Sequence, residues 1–198
     1  MPDYILADAI LNMFIPGHFQ YSMLMAIIIF WDPSAPEGLA GPVSRRISSI
    51  TGEETTYCES PVTLNGYVGH RRQYDAALIL DTLATYVRRN GINEPILLVV
   101  GKDLFIDGHD CVFGLARPQS RVGVVSGARL GNEYYNRQRE DEDLIDRVAR
   151  ECTHELGHIL GLSHCTDHEC IMYNPHTLDD LDGKKNEFCQ HCRDKLGL

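Results

Sequence analysis

The chain has 198 residues, 43% of them hydrophobic, and a formal charge of -10 from 28 acidic and 18 basic residues. That size suits one domain with at most a small appendage, and it is large enough to bury a core without disulfides. The acidic balance, with no basic stripe carrying interleaved aromatics, argues against nucleic acid as a partner.

In chain order, the first strong signal is the apolar run Met23 to Trp31, MLMAIIIFW. It is far short of the ~20 residues that span a bilayer, so no membrane partner is expected. The stretch before it has no basic n-region and no clear cleavage site, and reads as no signal peptide. A cytoplasmic setting is expected, where thiols stay reduced. The run itself reads as a strand apolar on both faces, ended by Asp32-Pro33. Ser34 to Gly69 is rich in Pro, Gly, Ser and Thr and reads as a long loop, a candidate lid. Arg71 to Gly91 reads as a helix with an apolar face of Tyr74, Ala77, Leu78, Leu80, Leu83, Ala84 and Val87. EPILLVVGKDLF then gives a second buried strand, and Val112 to Ala116 and Val122 to Ser126 give two short ones. DEDLIDRVARECTHELGHILGL is a second long helix, acidic at its start. Its buried stripe is Leu144, Ile145, Val148, Cys152, Leu156 and Ile159, which makes Cys152 a packed core thiol. The tail has no clear periodicity. Strands alternating with helices predict an α/β (α+β) architecture with a mixed sheet.

The second helix carries the chemistry. His154 and His158 are four residues apart, so they lie on one face, one turn apart. Two neutral imidazoles there can hold one zinc ion, and Glu155 can reach its outer shell without being a ligand. HExxH alone recurs by chance. Gly161 changes its weight, because it can adopt φ > 0 and end the helix sharply. His164, which a continued helix would turn away, can then fold back as a third ligand. Three protein ligands and one open position are the arrangement of a catalytic zinc.

Four of the seven cysteines follow the third histidine, as C-x4-C (Cys165, Cys170) and C-x2-C (Cys189, Cys192). Two short-spaced pairs are how a four-thiolate zinc site is built, and a metal could hold a tail this short. Free thiols or disulfides remain open on spacing alone, and His168 and His191 are conceivable substitute ligands. Cys58 and Cys111 have no evident role. Two zinc ions are therefore expected, one catalytic and one structural.

HELGHILGLSHCTDHECIM, with CQHC downstream, resembles the archaemetzincins, a metzincin-like group of zinc metallopeptidases. The resemblance rests on His154, Glu155, His158, Gly161, His164, Cys165, Cys170, Met172, Cys189 and Cys192, and runs from about residue 70 to the end. It implies a compact metzincin-like fold with a mixed sheet, a backing helix and an active-site helix. It implies a catalytic zinc on the three histidines with Met172 beneath them, and a second zinc on the four cysteines in a small C-terminal subdomain. Residues 1–164 would then form the catalytic part and 165–198 the zinc-bound tail.

The function expected is zinc-dependent hydrolysis of peptide bonds in a peptide or protein substrate, with Glu155 as general base. The Val122–Ser126 strand is expected to take an extended substrate by strand addition. Tyr173 is a candidate oxyanion donor. The rival is a zinc-stabilised interaction protein whose peptidase site is dormant or gated. A monomer is favoured.

Overall fold

A computed structural model of the chain describes residues 26–175 and 177–198. The main sheet has five strands: β1 (Ile27–Trp31), β2 (Thr55–Glu59), β5 (Ile96–Val100), β7 (Gly114–Arg117) and β8 (Val122–Ser126). They lie in the order β2-β1-β5-β8-β7. β1, β2, β5 and β8 run parallel, and β7 returns antiparallel along β8. β5 sits between two parallel neighbours and is buried along its whole length, which is why ILLVV has no polar alternation. A small sheet of β3 (Tyr67–Val68), β4 (Gln73–Asp75) and β6 (Leu104–Phe105) adjoins it.

Helices cover both faces. α1 (Ala40–Thr51) and α3 (Asp141–Ile159) pack on one face, where Val43, Ile47, Val148, Cys152 and Leu156 meet Ile27, Ile29, Leu97, Val99 and Val125. α2 (Ala76–Asn90) packs on the other, where Ile79, Leu80 and Leu83 meet Phe30, Ile96, Leu98, Val122 and Val124. The period of two along each strand sends alternate residues to opposite cores. Cys152 is a core thiol as the helix stripe implies.

The reading of Ser34 to Gly69 as a loop is corrected. It holds α1, β2 and β3. Val43 and Ile47, four apart, are fully buried, while Ser44 bonds the Thr55 carbonyl at 2.8 Å. Serines that lower helix propensity on their own are overridden here by tertiary packing. The Arg71 to Gly91 helix is also corrected at its start. Gln73–Asp75 is strand, and Asp75 caps α2 by accepting from the Ala77 amide at 2.9 Å. The apolar face shifts accordingly, with Ala76 and Ile79 inside and Leu78 exposed. The stop at Gly91 stands, at φ 64°.

The apolar strand begins at Ile27, and Met23 to Met25 lie outside the described residues. β8 is flanked by β5 and β7, so it has no free edge for a substrate, and β7 is the edge strand instead. The tail is more ordered than its sequence reads. It forms α4 (Leu178–Asp182), opened by a Thr177/Asp180 capping box, and α5 (Gln190–Leu196). Helices of five and seven residues are too short for a 3.6-residue period to show.

Candidate metal centres

α3 brings the histidines to the surface from a buried base. His154 is buried, His158 half-buried and His164 exposed, so the cluster opens on the His164 side. α3 ends at Ile159, and Gly161, at φ +94°, turns the chain back. His164 then stacks on His154 with ring centroids 5.3 Å apart and meets His158 at 4.8 Å. One ring nitrogen from each residue lies within 4.8 Å of the others.

The backbone fixes which nitrogen is free. His154 Nδ1 donates to the Ile171 carbonyl at 2.9 Å, and His158 Nδ1 donates to the Leu162 carbonyl at 2.8 Å. A carbonyl can only accept, so both Nε2 atoms carry lone pairs. They face each other at 3.1 Å. Two acceptors at that distance repel unless a cation lies between them. Zn–N bonds of about 2.0–2.1 Å on a tetrahedron put nitrogens about 3.3 Å apart, so the spacing fits zinc. Burial holds His154 well below the ordinary imidazole value, and burial with the neighbouring His158 lowers His164, so both favour the neutral, ligating form.

Met172 is fully buried. It can lie against α3 because residue 157 is glycine, since a Cβ at that point of α3 would overlap Met172 Sδ. The Met172 carbonyl accepts from the Cys165 amide at 2.8 Å, which ties the turn to the chain just after His164.

Glu155 lines the same cleft and is 4% exposed. Burial, then the neighbouring Glu151, raises its carboxyl well above the ordinary range. The cleft is about 640 Å³ and is walled by β7 (Gly114, Leu115, Ala116) and by α3. His109, Cys111, Glu151 and Asn174 also line it, and no motif in the sequence marks them. Glu151 Oε2 and Lys184 Nζ are buried without a hydrogen-bond partner. Tyr173 is not among the lining residues, and its ring lies 4.2 Å from that of His168. No residue of the supposed lid, 34–69, reaches the cleft.

The second centre gathers Cys165, Cys170, Cys189 and Cys192, with all four sulfurs within 4.8 Å of one another. Cys165 and Cys189 are 3.7 Å apart and Cys170 and Cys192 3.8 Å. Zn–S bonds of about 2.3 Å predict about 3.8 Å between tetrahedral sulfurs, whereas a disulfide needs about 2.05 Å. The distances match a shared metal, and all seven cysteines are free. The Cys189 and Met172 amides point at Cys170 Sγ at 3.3 and 3.4 Å, as they would towards a thiolate. Neither His168 nor His191 joins either cluster.

Comparison with known proteins agrees with this geometry. The model of Peptidase family M54 matches residues 63–197. An archaemetzincin of Thermococcus kodakarensis is 41% identical over 133 residues, 67% of this chain and 71% of that protein. A crystal structure of a zinc-dependent peptidase from Methanocorpusculum labreanum is similar at a TM-score of 0.82 and 39% identity, over 86% of this chain and 99% of that one. An archaemetzincin from Archaeoglobus fulgidus, crystallised with malonate, matches at 0.70 and 30%, over 86% and 99%. With two thirds of its length inside the family model and both cysteine pairs and all three histidines within the match, the chain belongs to Peptidase family M54.

Proposed function

We propose that the chain is a zinc metallopeptidase in which His154, His158 and His164 hold the catalytic metal and Glu155 is the general base. The observation that carries this is the pair of Nε2 lone pairs facing each other at 3.1 Å, beside a buried carboxylate in the same cleft. Zinc bound there would polarise the scissile carbonyl and lower the pKa of water towards about 7. Glu155 takes the proton of the attacking water and delivers it to the leaving amine. The carbonyls of Ile171 and Leu162 keep the imidazoles in the ligating tautomer.

An extended peptide would enter along β7, the edge strand among the described residues and a wall of the cleft, and pair with it in place of the interior β8. The four cysteines would hold a second, structural zinc, giving two per chain. We divide the chain functionally at His164: the cleft lining runs from Ile106 to His164, and the zinc-bound tail, 165–198, adds Asn174 and Pro175 to its rim. The tail is nevertheless continuous with the main core through Leu178 and Leu181. The free thiols fit a reducing cytoplasm, and no described helix is long and apolar enough to cross a membrane. Tyr173, turned to His168, serves this reading as a packing residue. The gated-site alternative loses its lid, since 34–69 is α1, β2 and β3.

The test is digestion of a peptide library by the wild type and by Glu155→Ala, with zinc measured in both. Glu155→Ala should keep its zinc and lose hydrolysis by about 10²–10⁴-fold. Cleavage at the wild-type rate would remove Glu155 from the mechanism.

A further inference from the structure

The Glu155 carboxylate is closely enclosed on its sheet side. A Cβ built on Gly114 of β7 would stand 2.5 Å from Glu155 Oε1, 2.9 Å from its Cγ and 3.0 Å from its Cδ. A Cβ built on Gly123 of β8 would stand 3.3 Å from Glu155 Cβ and 3.0 Å from Leu97 Cδ2. In the β7–β8 register, Gly114 faces Val125 and Ala116 faces Gly123. With the side-chain period of two, residues 114, 116, 123 and 125 share the sheet face that packs on α3. The side chains on that face are absent at 114 and 123, small at 116, and full-sized only at 125. The gap lies against Glu155, and Val125 belongs to the core beyond it.

We propose that Gly114 and Gly123 form a side-chain-free slot that seats the carboxylate of Glu155, and that both are positioning residues for the hydrolytic step. Helix-to-sheet packing alone would account for glycine at 123, where the nearest atom is Leu97. It does not account for Gly114, all three of whose nearest atoms belong to Glu155. Neither glycine needs a positive φ, so backbone conformation does not require them. A methyl group at 114 must displace the carboxylate, because it would stand 2.5 Å from Oε1 and Glu155, at 4% exposed, is closely surrounded. β7 is also the edge strand that walls the cleft, so the same backbone that would align a substrate sets the depth of the base beside it.

The inference rests on Glu155 being the base, and a double-mutant cycle separates the two ideas. Gly114→Ala is made in the wild type and in Glu155→Asp, whose carboxylate is one methylene shorter. Displacement by about 1 Å can cost about a hundredfold in rate. In the wild-type background Gly114→Ala should therefore lower kcat at least about tenfold, with KM and zinc content near wild type. In Glu155→Asp the same change should cost less than about threefold, because the shorter side chain leaves the slot unfilled. Equal losses in both backgrounds, or no loss in either, would overturn the slot. Should Gly114→Ala fail to melt cooperatively, Gly123→Ala, with its softer contact, is measured in the same two backgrounds, and wild-type kcat there overturns the proposal. Full activity of Glu155→Asp and Glu155→Ala would instead remove the base assignment itself.

Discussion

The two candidate metal centres share a short piece of chain, with His164 and Cys165 adjacent, yet they are built in opposite ways. The histidine centre stands on a 19-residue helix, has one exposed ligand, and opens into a cleft of about 640 Å³. The cysteine centre draws Cys165 and Cys170 from the turn after His164 and Cys189 and Cys192 from the start of α5, and four thiolates so placed would close a tetrahedron with no open position. The first stands on a helix packed into the main core through Val148, Cys152 and Leu156. The second lies in a small cluster of Leu162, Cys170, Ile171, Met172, Phe188 and Cys192, where the ligands are themselves much of the core. A site that does chemistry needs an accessible position on a rigid frame, and a site that holds a tail needs closure.

The sharpest way to break this contrast is to remove each metal separately. Cys189→Ser with Cys192→Ser should release the tail, since binding energy at such a site is folding energy on the order of 10 kcal/mol. Because the Cys165 amide bonds Met172 and the Ile171 carbonyl holds His154, catalytic zinc should weaken as well. Hydrogen exchange over 165–198 together with zinc content checks this, and unchanged protection in the tail would contradict it.

His158→Ala should behave differently. It should abolish hydrolysis and lose one zinc, while the cooperative melt persists and the tail stays protected. A global loss of structure would show that the histidine centre is also a folding element.

A third variant tests the metal-free link between tail and active-site helix. Arg147 on α3 is buried and forks onto Asp182 at 2.6 and 2.7 Å, with further bonds to the Leu130 carbonyl and Asn132 at 2.9 and 2.8 Å. Removing a buried charged donor from such a network costs about 2–4 kcal/mol. Arg147→Ala should lower the thermal midpoint accordingly, with zinc content unchanged from the wild type.

The gentlest probe is pH. His154 and His164 are held below the ordinary imidazole value by burial, so near neutrality they bind metal without releasing protons. Cys170 and Cys192 are raised, chiefly by burial, so their protons must leave when metal binds. Binding that releases protons weakens as pH falls. Zinc affinity of the cysteine centre should therefore drop from pH 8 to pH 7, while that of the histidine centre changes less over the same interval. Competition with a chromophoric chelator, in His158→Ala for the cysteine centre and in the wild type for both together, gives the two slopes, and parallel slopes would refute the assignment.

Much of this was legible in the residues. HExxHxxGxxH placed His154, Glu155, His158 and His164 because a helical period and one glycine suffice to converge them, and those are local properties of the chain. The spacing of Cys165, Cys170, Cys189 and Cys192 announced paired turns for the same reason. The buried parallel strands β1 and β5 and the long helix α3 were visible as apolar runs and a 3.6-residue stripe. What only the tertiary structure decided is whatever depends on a distant partner. α1 is a helix because Val43 and Ile47 find β1, although its own composition reads as loop. β7 is the edge and β8 the interior because of sheet order, which no local pattern encodes. That the thiols share a metal spacing, that His109, Cys111 and Asn174 wall the cleft, and that Gly114 abuts Glu155 all follow from contacts between residues tens of positions apart. Periodicity reports which face of an element is apolar, and packing alone determines what that face meets.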